Sequence, residues 1–318
     1  MNQNSMAIAI LCSHIGAGND VKPLEPKEWS QLEQTIATQN LQPAALLTCS
    51  TEDLRIRFQL GAQQTDRIAR LISRSASLSF ALSKYENMGI HVMTLADEEY
   101  PVRLRDMPGS SCPPLFYYAG EPGLLKQKSA GYTGSRNASD EDIAFTRKTV
   151  QKTMAQGYLV VTGGAKGVDR AAEDAALELG GAAIAFLSDS MLGKLRDPKT
   201  VYAVQQGKLL LLSVAKPDSG FNTGIAMMRN RYVYAQSDGT VVVRSDFQKG
   251  GTWAGAVDNL KHQCCPTFCW NNPAYRGNQA LIEQGAVPID EDWDGDLSAS
   301  VRKEDAETCV QMDLFDLM

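Results

Sequence analysis

The sequence predicts an α/β fold, an extended Rossmann-like and mostly parallel sheet with helices on both faces, preceded by a small all-helical N-terminal module. Three observations carry that expectation. Short apolar runs alternate with helical stretches from residue 89 to about residue 290. Some of those runs, Leu209-Leu-Leu-Leu212 and Val241-Val-Val243 among them, are continuous rather than alternating, as strands covered on both faces are. Three strand candidates also run into glycine turns that open a helix.

Residues 1–88 read as small helices at 28–38, 43–47, 51–60 and 65–88, the third begun by a Ser50/Thr51 cap. Their charge balances to zero and they carry no obvious chemistry, which fits a packing or protein-interaction module. Strand candidates follow at 91–95, 114–118, 129–133, 158–161, 182–187, 208–213, 240–243, 267–270 and 286–289, with helices between most of them. The expected organisation is therefore a helical module over 1–88, a Rossmann domain over 89–290 and an acidic tail over 291–318.

At 318 residues with 43% hydrophobic content the chain has the composition of a globular protein, and no apolar run approaches a membrane span. The first twelve residues lack a basic n-region, so a cytoplasmic location is expected. Seven scattered cysteines suit reduced thiols. His262 with Cys264, Cys265 and Cys269 supplies metal-ligand types, but Cys264 and Cys265 are adjacent and Cys269 lies in a strand candidate, so core burial is the favoured reading. Neither metal nor cofactor is expected. Three histidines give a Ser-His hydrolase little material. Of the net charge of −6, residues 291–318 carry −7, from nine acidic and two basic side chains, which leaves the first 290 residues at +1. The acidity belongs to the tail, and a local basic pocket in the body is permitted.

The stretch from Tyr158 to Leu177 organises the chain. Its strand ends in Gly163, Gly164, Lys166 and Gly167 before a helix closed by Gly180 and Gly181. A helix start with bare amides attracts anions, and Lys166 adds a mobile positive charge. Strand 129–133 runs likewise into Gly134, Ser135, Arg136 and Asn137, and Ser139 with Asp142 forms a capping box. Consecutive βα units lie side by side, so Arg136 and Lys166 are expected to face one pocket at the carboxyl edge of the sheet. Arg229 and Arg231 share a helix but point in different directions, and Lys249, Gly250, Gly251 and Thr252 form a third glycine-opened helix start.

These residues resemble the DprA/Smf family of DNA-processing proteins, within the LOG-like Rossmann group. Tyr132-Thr-Gly-Ser-Arg-Asn137 is similar to the family's Gly-Ser-Arg phosphate loop, and Thr162-Gly-Gly-Ala-Lys-Gly-Val-Asp169 to its Ser-Gly-Gly-Ala-x-Gly-Ile-Asp motif. Arg229-Asn230-Arg231 matches its Arg-Asn-Arg helix, and Gly250-Gly-Thr-Trp-Ala-Gly-Ala256 its Ser-Gly-(Ser/Thr)-x-x-Thr-Ala segment. Upstream, Glu99-Tyr-Pro-Val-Arg-Leu104 resembles the family's lead-in. The resemblance implies a homodimer that binds single-stranded DNA and loads the RecA recombinase in natural transformation. Departures are Glu173 where the family has His, Arg244 or Ser245 where an acidic residue follows the strand, and no winged-helix pattern after residue 290.

Three functions are weighed. The leading one is a non-enzymatic single-stranded DNA binder, with Arg136 and Lys166 on a phosphate, Arg229 and Lys249 nearby, and Tyr132 or Trp253 stacking a base. Its rival is a LOG-like nucleotide sensor or hydrolase, for example in phage defence; aligning Gly251-Thr252 on the Gly-Thr of those hydrolases puts Gly255 where they have the catalytic glutamate. The third is an interaction scaffold. A homodimer is further expected from the apolar run 209–214 if it lies near an exposed sheet edge. In the tail, residues 291–309 should be an extended linker, while Met312, Leu314, Phe315, Leu317 and Met318 either dock on their own domain or fill a partner's groove. Gln311-Met312-Asp313-Leu314-Phe315 resembles the pentapeptide that engages the bacterial β sliding clamp.

Overall fold

The computed structural model describes residues 1–16, 21–107 and 111–298. Five helices come first: α1 (Gln3–Cys12), α2 (Pro26–Thr38), α3 (Thr51–Ile56), α4 (Ala62–Ser73) and α5 (Ser75–Glu86), with a 3-10 turn at Pro43–Thr48. Then follow β1 (His91–Thr94), α6 (Val102–Arg105), β2 (Leu115–Ala119), β3 (Ser129–Thr133), α7 (Asp140–Ala155), β4 (Leu159–Thr162), α8 (Val168–Glu178), β5 (Ala183–Phe186), α9 (Met191–Lys194), α10 (Pro198–Gln205) and β6 (Leu209–Ser213). The chain continues through α11 (Thr223–Gln236), β7 (Gly239–Val242), α12 (Gly250–His262), β8 (Thr267–Trp270), α13 (Arg276–Glu283) and β9 (Val287–Ile289). Every strand candidate is a strand, to within a residue or so at each end.

The nine strands form one sheet in the order β1-β2-β6-β5-β4-β3-β7-β8-β9, antiparallel only where β2 meets β1 and β6. Alternate side chains serve opposite faces. Leu209 and Leu211 pack in the core shared with the N-terminal helices, whereas Leu210 and Leu212 face Tyr232 and Val233 of α11. From β3 the chain winds outward through β4, β5 and β6, then returns to the far side of β3 with β7 and continues to β9. The reversal between β3 and β7 leaves a crevice at the carboxyl ends of those two strands.

Four expectations are corrected. Run 209–214 is not at a sheet edge: β6 lies between β5 and β2, and Leu209, Leu210, Leu211 and Leu212 are fully buried, so that ground for a dimer falls away. The first twelve residues, outside the helices expected over 1–88, form one more, α1, buried beneath β1 and β2, with Asn2 accepting from the Ser5 amide at 2.8 Å as its cap. The long helix at 65–88 is broken at Arg74, whose guanidinium turns back to the last carbonyls of α1, donating to Ile10 O at 2.6 Å, Ser13 O at 2.7 Å and Ile15 O at 3.1 Å. Residues 291–298 are not free linker. Trp293 packs on Phe268 at 5.4 Å, Lys152 donates to Glu291 O at 2.7 Å, and Leu297 is 3% exposed.

Arg74 holds the end of α1 and the residues just after it to the turn between α4 and α5, through four hydrogen bonds to three carbonyls. Arg74→Ala is expected to lower unfolding free energy by about 2–3 kcal/mol, read as a lower urea midpoint at unchanged m-value, because charge-assisted bonds to half-buried carbonyls are lost together.

Candidate anion-binding cleft

The Gly163, Gly164 and Gly167 turn binds an anion, but its own. Asp169 Oδ2, in the first turn of α8, accepts from Gly163 N at 3.1 Å and Ala165 N at 3.3 Å, and lies 3.3 Å from Arg229 Nη1 on α11. The carboxylate and guanidinium are both over nine-tenths buried. Gly163 is required there, because a Cβ would stand 0.9 Å from Arg229 Nη1. Gly167 has φ +77°, and its missing Cβ leaves room for Ser135 O, to which Val168 N donates at 3.2 Å. The expectation of bare amides is thus corrected: the turn is closed by Asp169 and laced to the β3–α7 loop. Burial pushes the Arg229 guanidinium down from its ordinary value, with Asp169 pulling the other way. Its Nε–H has no partner among the described residues.

Beside this pair, at the β3/β7 reversal, lies a cleft of about 640 Å³. Gly134, Ser135, Arg136 and Asn137 form one wall, Arg229 and Asn230 of α11 another, and Arg244, Lys249, Gly250, Gly251 and Thr252 the third. Two bonds set the walls: Thr252 Oγ1 donates to Gly134 O at 3.0 Å, and Asn230 Nδ2 to Gly251 O at 3.0 Å. Arg136 is exposed, stacks 4.8 Å over the Phe221 ring and forms no ion pair among the described residues; Lys249, also exposed, forms none either. Arg244 is anchored. It lies 3.3 Å from Asp142 Oδ2 and 5.1 Å over the Tyr275 ring, while Tyr275 OH donates to Asp142 Oδ1 at 2.7 Å. Asp142 also closes the expected capping box, accepting from Ser139 N at 2.7 Å.

Other expected residues lie elsewhere. Lys166 is exposed on the turn and does not line the cleft, so it and Arg136 do not share a pocket. Arg231 projects from the other side of α11 into a forked pair with Asp258 at 2.8 and 3.1 Å. Tyr132 is fully buried with its hydroxyl 2.9 Å from Thr153 Oγ1, and Trp253 packs edge-on to Phe247 at 5.3 Å, so neither faces the cleft as a stacking platform. Cys269 is core, as the strand position implied. The sequence reading missed Arg244 and Phe221 as cleft residues. Arg244 was detectable, since it follows directly after a strand bordering the reversal; Phe221 had no periodic signal.

A doubly wound α/β protein with a cationic cleft at its topological switch point is what fold and geometry define. The sequence profile of DNA recombination-mediator protein A matches residues 91–295, and the chain belongs to that family. It is 24% identical over 212 residues to the DNA processing protein DprA of Bacillus subtilis, covering 65% of this chain and 71% of that one. It is 27% identical over 175 residues to Protein Smf of Synechocystis, covering 53% of this chain and 43% of the relative. Among solved structures, DprA from Streptococcus pneumoniae superposes with a TM-score of 0.66 at 20% identity, over 84% of this chain and 95% of that one. DNA processing protein A from Helicobacter pylori, studied for its single-stranded DNA binding mode, gives a TM-score of 0.51 at 24% identity, over 63% and 90%. No helix among the described residues is long and apolar enough to cross a membrane.

Glu173, the departure from the family's His, is 1% exposed, with Arg170 at 3.6 Å, Lys194 at 4.0 Å and no hydrogen bond to Oε2. Burial pushes its carboxyl pKa up, against the pull of Lys194 and Arg170. A raised folded pKa gives stability that is complete below the ordinary carboxylate range and lost as pH rises through the folded value. Glu173→Gln is therefore expected to stabilise the protein at pH 7 and to flatten the decline in melting temperature above about pH 4.3, measured by thermal denaturation across pH.

Proposed function

We propose that the protein is a non-enzymatic single-stranded DNA binder that seats a backbone phosphate in the switch-point cleft. The observation that carries this reading is the pairing of two exposed, unpaired cations, Arg136 and Lys249, with an exposed aromatic ring, Phe221, at the same opening. The cations neutralise a phosphate, the Arg229 Nε–H and the first amides of α12 have hydrogen bonds to give, and Phe221 offers a base a face. None of these contacts reads base identity, so binding is expected to tolerate sequence. Asp169, already neutralised by Arg229 and two amides, does not repel the strand.

The finer reading follows the family: a cytoplasmic homodimer that protects single strands and loads RecA in DNA uptake or related metabolism. Residues 1–88 would serve as its packing or partner module and residues 89–290 as its DNA-binding domain. The motif Gln311, Met312, Asp313, Leu314 and Phe315, which lies outside the described residues, would recruit it to the sliding clamp. A micromolar dissociation constant between the clamp and a 301–318 peptide is expected, lost with Leu314→Ala plus Phe315→Ala; absence of clamp binding by the full-length chain ends that part.

The rival reading, a nucleotide sensor, has one observation in its favour: about 640 Å³ is a small-ligand volume. Hydrolysis has less. Gly255 is buried against Asn230 and Tyr234 one turn along α12 from Gly251 and does not line the cleft, and the carboxylates lining the cleft are Asp169, already paired, and Asp246 at the rim.

The test is a salt titration with an oligonucleotide. Affinity should fall as salt rises, with a log–log slope of about −0.7 per phosphate neutralised. Arg136→Ala with Lys249→Ala should weaken binding roughly ten- to hundredfold and flatten that slope by about 1.4, while Phe221→Ala should cost about 1–3 kcal/mol with the slope unchanged. Lys166→Ala should change affinity less than about threefold. Undiminished binding by the double variant sinks the assignment, and release of free base from nucleoside monophosphates favours the rival.

A further inference from the structure

Past the rim of the cleft, the carboxyl edge of the sheet carries a further exposed arginine. Residues 246–249 form a tight turn, Lys249 N donating to Asp246 O at 3.2 Å, and both of those residues line the cleft. Phe247, between them, does not. Its ring lies edge-on to Trp253 at 5.3 Å, and the Arg276 guanidinium sits 4.4 Å over it. The start of α13 is pressed against this turn, since a Cβ on Gly277 would stand 2.1 Å from Ser245 O. Tyr275, the residue before Arg276, carries Arg244 of the cleft wall 5.1 Å over its own ring. The two loops thus exchange arginines, Arg244 onto Tyr275 and Arg276 onto Phe247. The first of these charges is met by Asp142 at 3.3 Å. The second is met by nothing: Arg276 is exposed and forms no ion pair or side-chain hydrogen bond among the described residues. It is also the first residue of α13, with no acidic residue in that turn, where the helix dipole opposes a cation.

We infer that Arg276, held over Phe247, is an outer subsite for the single strand seated in the cleft, and takes an adjacent phosphate on the far side of the 246–249 turn. The inference rests on the phosphate reading of the cleft. A tight turn brings its first and last Cα atoms within about 7 Å, a span that neighbouring phosphates of one strand can bridge. The N–H groups of Arg276 are free to meet a phosphate, and its face turned away from Phe247 is open to a base. Asp246 opposes these cations at the rim, but Lys249 and Arg276 outnumber it, and Arg136 adds to them across the cleft. The subsite gives the strand a direction over the protein. It leads along the sheet from the β3/β7 reversal toward β8 and β9, away from β1 and β2 and the helices that rest on them.

The test compares two oligothymidylates on the full chain, one of about four nucleotides that fills the cleft alone and one of about twelve that runs past it. Arg276→Gln should weaken binding of the longer strand roughly three- to tenfold and flatten its log–log salt slope by about 0.7, the share of one phosphate, while changing the shorter one less than about twofold. Arg276→Lys keeps the charge and should restore the slope. Arg136→Ala should weaken both lengths. Unchanged binding of the longer strand by Arg276→Gln overturns the inference. So does an equal loss on both lengths, or a slope that Arg276→Lys leaves flattened, since either marks an effect of α13 packing on the cleft wall rather than a phosphate contact. If Arg276→Gln is silent while Arg136→Ala with Lys249→Ala weakens both lengths, the outer subsite falls and the cleft reading stands; if that double variant binds undiminished, the cleft reading falls on its own.

Discussion

The buried ion pair of Asp169 and Arg229 fixes most of what surrounds it. Two charges taken from water gain little net stability from each other, but losing one partner strands the other and costs about 3–5 kcal/mol. Here the carboxylate also closes the glycine turn through two amides, so Arg229 locks α11 against the start of α8. The opposite side of α11 holds α12 through Arg231 and Asp258, and Asn230 between them holds Gly251. One arginine, its asparagine and the next arginine thus set the spacing of two helices that wall the cleft. The most deeply buried ion pair in the region is structural, and the cations left for a ligand are the exposed ones.

The strands were legible because nearly all of them are short apolar runs bounded by glycine or proline, and a parallel sheet buried on both faces needs little else. The hidden helices fail the same test in opposite ways. Residues 6–12 carry no amphipathic period because α1 is buried all round, and the Arg74 break lies in contacts with carbonyls sixty residues away, which no local pattern records. At the cleft, the motifs located the loops correctly but not the directions of side chains. Arg229 and Arg231 are two residues apart, about 200° around a helix, so one had to turn away from the site; which one is decided by Asp169 and Asp258, both distant in sequence. Lys166 and Tyr132 show the same limit, one on the outer side of its turn and the other on the inward face of its strand.

Sheet order also decides which surfaces remain open. The antiparallel pair β1 and β2 covers what would be the β6 edge, leaving β1 and β9 as the outer strands, with β9 only three residues long and proline-bearing. Proline removes a ladder donor and discourages further pairing. The crevice between β3 and β7 is open for a different reason: connections leave it in both directions, so no crossover helix can cover it.

The place of β2 has a consequence for how the chain is made. The N-terminal helices rest on β1 and β2, yet β2 joins the parallel strands only by pairing Tyr117 with Ser213, Tyr118 with Leu212 and Ala119 with Leu211 of β6. A ribosome releases α1, with Ile8, Ile10 and Leu11, long before β6 exists to receive the strand that shelters them. During that interval the nascent chain holds an uncovered apolar helix and an unpaired β2 edge, the two features that chaperones bind and that aggregation exploits. Assembly of this protein is therefore gated by its middle, and its first helix is sealed into the core only after β6 has been made.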